Sequence, residues 1–206
     1  MNSVWVGIIG IAGLCGRWFE RVFYEFGCIV DGSDPQFDSS ITQRNREVVE
    51  NADVVIFAVP PHLLPDIVRS VVEVSRADQL WIDCSCLQSE PVRAVLESRA
   101  EVVGLHPMCA PTKRLWEGQT VIVCQARLRQ WRTWFEDFMK KTGAHSKVST
   151  PEEQDKNMVI IEGLIHANVL IMAGLLRRLK VNVTDVMEHM SPIYKLSFSF
   201  LGRILR

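Results

Sequence analysis

Gly104-Leu105-His106-Pro107-Met108-Cys109-Ala110-Pro111 is the stretch whose residue types point most directly to chemistry. The run Glu101-Val102-Val103 leads into a glycine, and Pro107 locks the backbone straight after the histidine, so an imidazole is expected to be held rigidly at the exit of a buried strand. A histidine so placed takes up a proton near neutral pH, which the removal of hydrogen from an alcohol requires. The same pattern also suits a turn histidine bonded to backbone, so other parts of the chain must decide.

A second chemical stretch lies near the N-terminus. Gly10-Ile11-Ala12-Gly13-Leu14-Cys15-Gly16 falls between an apolar strand-like run, Val4 to Ile9, and a helical pattern. Glycines there permit a tight turn and let a pyrophosphate reach the free amides of a helix N-terminus, so Gly10, Gly13, Leu14, Cys15 and Gly16 are candidate dinucleotide-binding residues. The spacing is GxxGxxG, with Ile11 where the more common pattern has a glycine. Asp34 follows Gly16 by 18 residues, close to the roughly 20 expected of the acid that binds ribose hydroxyls. An acid there repels a 2′-phosphate, which favours NAD; Arg44 and Arg46 keep NADP open if the loop folds back, and Asp31 competes with Asp34.

The elements that must position these groups alternate. Strand patterns at Val4–Ile9, Cys28–Val30, Asp53–Val59, Leu80–Asp83, Val102–Val103 and Thr120–Cys124 are interleaved with helical patterns at Gly16–Phe26, Leu63–Val74, Pro91–Ser98 and Leu128–Thr142. Such alternation predicts an α/β fold, a doubly wound, mostly parallel sheet. The character changes at Ser149-Thr150-Pro151-Glu152-Glu153, a helix-start signal. Beyond it, Met158, Ile161, Ile165, Val169 and Met172 predict one long helix, or two broken near Gly163, and further helices follow at Thr184–Met190 and from Pro192. We therefore expect a dinucleotide-binding domain over 1–149 and a smaller all-helical domain over 150–206.

Composition narrows the classes. At 206 residues with 48% apolar content the chain can bury a sizeable core, and a net charge of −1 with scattered basic residues gives no reason to expect nucleic acid. No uninterrupted run of about 18 apolar residues is present, so no membrane span is expected. The first residues lack the charged region and cleavage site of a secretory signal, and the six cysteines read as free thiols, which together suggest a cytoplasmic protein.

Taken in order, the glycine turn with Arg17-Trp18-Phe19, Ala58-Val59-Pro60, Gly104-Leu105-His106-Pro107-Met108, Asp155-Lys156-Asn157-Met158, His166, Ser191-Pro192-Ile193-Tyr194 and Gly202-Arg203 resemble the prephenate dehydrogenase family from about residue 5 to the C-terminus. The resemblance implies a Rossmann-type domain followed by a helical domain that dimerises. It also implies oxidation, with NAD or NADP, of the ring hydroxyl of a cyclohexadiene whose ring carboxylate leaves as carbon dioxide, a step of tyrosine or related aromatic biosynthesis. On that footing His106 takes the hydroxyl proton, Val59 and Pro60 line the cofactor, Arg203 grips the ring carboxylate with a two-pronged guanidinium, and His166 faces the site. The substrate is then a small dicarboxylate: prephenate, arogenate or 4-amino-4-deoxyprephenate.

The chain departs from the family at three of these positions. Cys86 stands where a serine usually orients the histidine, Gln88 where a lysine usually stands, and Lys195 where arginine often follows Ser-Pro-Ile-Tyr. Relatives also continue for several more helices that build the dimer. Phe198, Phe200 and Leu201 on the last helix are expected to be exposed and to favour a homodimer, while His62, His145 and His189 read as loop or surface residues. Two rival readings remain. Cys84, Cys86, His106 and Cys109 form an acceptable zinc or redox set on paper, although no metal is expected, and the altered residues would also suit a nucleotide-binding pseudoenzyme.

Overall fold

A computed structural model of the chain describes residues 3–111, 116–180 and 182–204, with backbone only at 183, 203 and 204. It divides into two compact units, Met1–Asp155 and Lys156–Arg206.

The first unit is built on a seven-stranded sheet in the order β2-β1-β3-β4-β5-β6-β7. The strands are β1 (Trp5–Ile9), β2 (Ile29–Ser33), β3 (Val54–Phe57), β4 (Leu80–Asp83), β5 (Glu101–Pro107), β6 (Thr120–Arg127) and β7 (His145–Ser149). From β2 through β5 the neighbours are parallel, β6 runs antiparallel to β5, and β7 is parallel to β6. Every residue of β3 and β4 is buried, as a strand covered on both faces requires, which explains their unbroken apolar sequences.

Helices cover both faces. On one side α1 (Leu14–Phe26) and α5 (Arg132–Thr142) set Trp18, Phe19, Phe23, Phe135 and Phe138 against Val6, Ile8, Val54 and Ile56. On the other side α2 (Ile41–Asn51), α3 (Leu64–Val71) and α4 (Ser89–Val95) bring Val48, Val49, Val68, Val92 and Val95 onto Val55, Trp81 and Val102. Each side chain of this size, once fully buried, contributes about 1.5–3 kcal/mol of transfer free energy, so the two clusters dominate the stability of the unit.

Three elements differ from the sequence expectation. Helix α2 was not anticipated, because Ile-Thr-Gln-Arg-Asn-Arg is polar and its inward face consists of Asn45, Val48 and Val49 alone. Strand β7 was missed for a similar reason: it is an exposed edge strand of sequence His-Ser-Lys-Val-Ser, with no apolar alternation. Strand β5 is longer than expected and includes His106. Antiparallel pairing of His106 with Ile122 and of Pro107 with Val121 extends it, so the histidine sits within the last turn of the pleat and not beyond it.

The second unit is helical. The helix that opens with α6 (Pro151–Met158) passes through a π-helical turn, Val159–Gly163, and continues as α7 (Leu164–Arg178). It is therefore one helix with a wide turn ending at Gly163. A short α8 (Val183–Glu188) is capped by the Asn182 side chain, which accepts from Thr184 N at 3.1 Å, and α9 (Pro192–Ile204) packs on α7. Over Pro151–Arg178 the helix is long and apolar enough to cross a bilayer by length and composition, which corrects the expectation that no segment would qualify. Glu162, His166 and Asn168 interrupt a strict apolar run, but the stretch around them remains strongly apolar. Ile160, Ile161, Leu164, Leu170 and Ile171 are exposed. On α9, Phe200 is exposed but Leu201 is buried within the chain, contrary to expectation.

Candidate active site

The parallel strands β1, β3, β4 and β5 all end on one edge of the sheet, where the loops of a doubly wound fold gather ligands. The glycine turn follows β1 on this edge. Gly10 has φ +87°, a left-handed conformation, and a Cβ there would lie 2.5 Å from the Ala58 carbonyl oxygen. A Cβ on Gly16 would lie 2.2 Å from the Gly10 carbonyl oxygen, so the helix can approach the turn only with glycine at that position. Ile11 takes the place of the more common glycine, and its side chain sits over Gly32 of β2, where a Cβ would lie 2.6 Å from the isoleucine Cδ1. The odd spacing in one segment is thus matched by a glycine in the next strand.

Backbone bonds pin this turn to β2. Gly10 N and Ile11 N donate to the Ser33 carbonyl at 2.8 and 3.2 Å, and Ala12 N donates to Asp34 Oδ2 at 3.1 Å. The other carboxylate oxygen of Asp34 accepts from Gln36 N at 3.0 Å. A carboxylate has about four acceptor sites, so Asp34 keeps lone pairs for a ligand hydroxyl. Beside it is a cavity of about 420 Å³ lined by Gly10, Gly13, Asp34, Val59, Pro60 and Asn45, among others. Asn45 belongs to the unanticipated α2 and accepts from Ser33 Oγ at 2.5 Å. Leu14 and Cys15, in the first turn of α1, are exposed.

The arginines that left a 2′-phosphate open are committed elsewhere. Arg44 pairs with Asp31 at 2.6 Å. Arg46 donates to the Ser70 carbonyl at 3.1 Å and meets Glu73 at 3.4 Å.

At the end of β5, His106 is half-buried, and Gln154 Nε2 lies 3.0 Å from its Nδ1. The same nitrogen lies 3.5 Å from the Cys86 carbonyl oxygen. The next residue, Asp155, accepts from the backbone amides of Gln88 at 2.5 Å and Ser89 at 3.1 Å, so the first turn of α6 grips the loop that follows β4. Gln154 was not singled out from sequence: Glu-Glu-Gln-Asp reads as an ordinary acidic first turn, and the glutamine meets its histidine across 48 residues.

Gln88 does not fulfil its expected role. Its side chain is 0% exposed and lies over Gly104, where a Cβ would be 1.6 Å from Gln88 Oε1. Its Nε2 donates to Asp83 Oδ2 at 3.2 Å and to the Ser85 carbonyl. It is therefore turned into the fold and offers a substrate nothing. Asp83 is fully buried, accepts from Ser85 Oγ at 2.7 Å, and burial pushes its carboxyl up to about 7.

Of the zinc or redox set, Cys86 and His106 come together, their ligand atoms within 4.8 Å, while Cys84 is engaged elsewhere. Cys84 Sγ donates to the Phe57 carbonyl at 3.0 Å, away from a ligand set shared with Cys86, His106 and Cys109, and burial raises its pKa well above the ordinary thiol value. Cys84 is therefore not a ready thiolate at neutral pH. His62, His145 and His189 are exposed, as expected.

In the helical unit, described by itself, His166 on α7 and Lys195 on α9 are exposed. The backbone of Arg203 belongs to α9, but its side chain lies outside the described residues.

Residues 36–148 match the family model for the prephenate dehydrogenase nucleotide-binding domain. A probable arogenate/prephenate dehydrogenase of Methanocaldococcus jannaschii is 30% identical over 99% of this chain and 49% of its own length. The T-protein of Enterobacter agglomerans is 28% identical over 97% of this chain and 52% of its own length. The chain thus spans about half the length of these curated relatives. Among solved structures, prephenate dehydrogenase from A. aeolicus, in complex with hydroxyphenyl propionate and NAD+, aligns with TM-score 0.72 and 16% identity over 100% of this chain and 86% of that one. Synechocystis arogenate dehydrogenase aligns with TM-score 0.72 and 12% identity over 96% of this chain and 79% of that one. At such identities the likeness is one of fold.

Proposed function

The chain belongs to the prephenate dehydrogenase family, and on that premise we propose that it catalyses the NAD-dependent oxidative decarboxylation of a prephenate-like cyclohexadiene. The observation that carries this reading is the placement of His106 and the Gly10–Gly16 turn on one edge of one sheet, at the ends of β5 and β1. The turn fits a dinucleotide: Gly10 and Gly16, where a Cβ would strike the Ala58 and Gly10 carbonyl oxygens, let the turn close tightly on the start of α1, whose first amides suit a pyrophosphate, and Asp34 lies beside the adjoining cavity. With Arg44 and Arg46 engaged by Asp31 and the Ser70 carbonyl, Asp34 is the residue that would bind the ribose hydroxyls, and NAD is the preferred form.

When bound, NAD supplies a two-electron acceptor for hydride from the hydroxyl-bearing ring carbon. His106 takes the hydroxyl proton as that hydride leaves, and the ring oxygen becomes a carbonyl. As the bond to the ring carboxylate breaks, its electron pair enters the ring and carbon dioxide departs. The imidazolium then returns its proton to the phenolic oxygen. Aromatisation makes the sequence effectively irreversible.

The substrate carboxylates call for fixed cations, and Arg203 and Lys195, with His166, are the residues proposed for them. Because Gln88 is turned inward and Lys195 is a point charge rather than a fork, the substrate side chain is proposed to be held differently from prephenate's in relatives with lysine and arginine there. Arogenate and 4-amino-4-deoxyprephenate are the alternatives. NAD reduction measured with all three decides: turnover of one at least tenfold above the others names the substrate, and none oxidised while NAD binds would establish the pseudoenzyme.

The exposed apolar side chains of the Pro151–Arg178 helix are proposed to pack against a second copy in a cytoplasmic homodimer rather than in a bilayer. Light scattering of detergent-free protein is expected to give twice the monomer mass. A monomer mass, or protein recovered only in the membrane fraction, would reject this assembly.

A further inference from the structure

We propose that Asn45 is a further cofactor-binding residue, whose side-chain amide donates a hydrogen bond to the adenosine half of the dinucleotide. The proposal rests on the reading of the Gly10–Gly16 turn and Asp34 as a dinucleotide site. Asn45 comes from α2, is 4% exposed, and lines the cavity of about 420 Å³ beside Asp34. Its Oδ1 accepts from Ser33 Oγ at 2.5 Å, a length usual for O–H···O and too short for N–H···O, so the oxygen faces the serine. Its Nδ2 has no partner among the described residues, and with the oxygen engaged it is the end that can serve a ligand. An amide hydrogen kept from bonding by burial is unfavourable, and an acceptor brought by a ligand relieves it. Ser33 is itself 1% exposed, and its carbonyl accepts from Gly10 N and Ile11 N at 2.8 and 3.2 Å. One residue thus fixes both the glycine turn and the amide of Asn45.

The place of the cavity selects the half of the ligand. His106 lies at the end of β5, so the nicotinamide must reach that end of the row, while the turn after β1 receives the pyrophosphate. The adenosine then falls on the far side of the turn, at β2 and α2. There Ile41, Val59, Leu63 and Ile67 give the cavity apolar walls suited to a flat base. Other polar side chains along it are engaged: Ser70 Oγ donates to the Ile67 carbonyl at 2.7 Å, and Asp66 meets Arg69 at 2.8 Å. Asp34, as a carboxylate, only accepts, and so serves the hydrogens of the ribose hydroxyls. Asn45 supplies the complementary donor, and adenosine carries acceptors for it in its ribose oxygens and in the ring nitrogens of its base.

The test titrates NAD, and AMP as the adenosine half alone, into the parent chain, Asn45→Ala, Asn45→Asp and Ser33→Ala by calorimetry without substrate. It also follows kcat and KM for NAD with the substrate selected above. Both Asn45 variants are expected to bind NAD and AMP about tenfold or more weakly, and Ser33→Ala, which only frees the amide to turn, about threefold. KM for NAD should rise in step while kcat at saturating NAD stays within about twofold, because the contact is the same before and during the reaction. The alanine variant separates loss of the donor from the charge that aspartate adds. Affinities within about twofold of the parent in both Asn45 variants would overturn the proposal, including the case where only the melting temperature or the fraction of binding protein falls. Weaker NAD with unchanged AMP would overturn it too, since the contact would then lie outside the adenosine. Failure of the parent itself to bind NAD or AMP would instead remove the dinucleotide reading. If Asn45→Ala fails to fold, Asn45→Asp, which keeps the bond from Ser33, and Ser33→Ala decide together: loss in both supports the proposal, and loss in neither overturns it.

Discussion

Replacing His106 with asparagine is expected to lower kcat by about 10²- to 10⁴-fold, the usual worth of a positioned general base, while NAD affinity stays within about twofold of the parent. The separation of effects follows from placement. His106 lies at the end of β5, whereas the glycine turn and Asp34 follow β1 and β2, three and four places away in the sheet order. Asparagine keeps a polar group beside Gln154 but has no lone pair of suitable basicity to take the proton. Turnover with saturating substrate and NAD binding by calorimetry are the two measurements. Equal loss of both would mean that the residue supports the fold and carries no chemistry.

The second large effect concerns stability. Asp83 is fully buried, and burial raises its carboxyl from 3.8 to about 7 against the favourable bonds from Ser85, Cys84 and Gln88. Below the unfolded value the group is neutral in both states and its stabilising contribution is fully present. Between that value and about 7 the unfolded chain releases the proton while the folded chain keeps it, so this contribution is lost as pH rises through the folded value. At about 1.4 kcal/mol per unit, the window spans a few kcal/mol. Urea unfolding of Asp83→Asn and the parent should therefore show the difference between them shifting by about 2–3 kcal/mol in favour of the variant between about pH 5 and about pH 8. Comparing differences cancels the static change from acid to amide and the titration of distant groups. A difference constant with pH would show that Asp83 is ionised throughout.

Much of the fold was legible because its signals are local. Strands β3 and β4, buried on both faces, must be written as unbroken apolar runs. Amphipathic α1 must carry Trp18, Phe19, Val22 and Phe23 on one side. Helix α2 and strand β7 escaped because their sequences are largely polar and their stability comes from neighbours: α2 from the cluster of Ile9, Val55 and Trp81 that receives its Val48 and Val49, β7 from its register on β6. The length of β5 was likewise invisible, since an antiparallel partner some 16 residues downstream extends it.

What the sequence alone determined is the chemistry available at the sheet edge. Gly10, Gly16, Asp34 and a proline-locked His106 answer to backbone conformation and chain order, and both are written locally. What only the tertiary structure decided is how side chains at those positions are used. Gln88 turns inward because Gly104 leaves room for it, Arg44 is taken by Asp31, and His106 receives its partner from a helix 48 residues away. An amide or guanidinium has several hydrogen-bonding options of similar energy, and burial among distant elements selects one of them. The histidine was therefore legible from its own neighbours in sequence, but the glutamine that meets its ring was not.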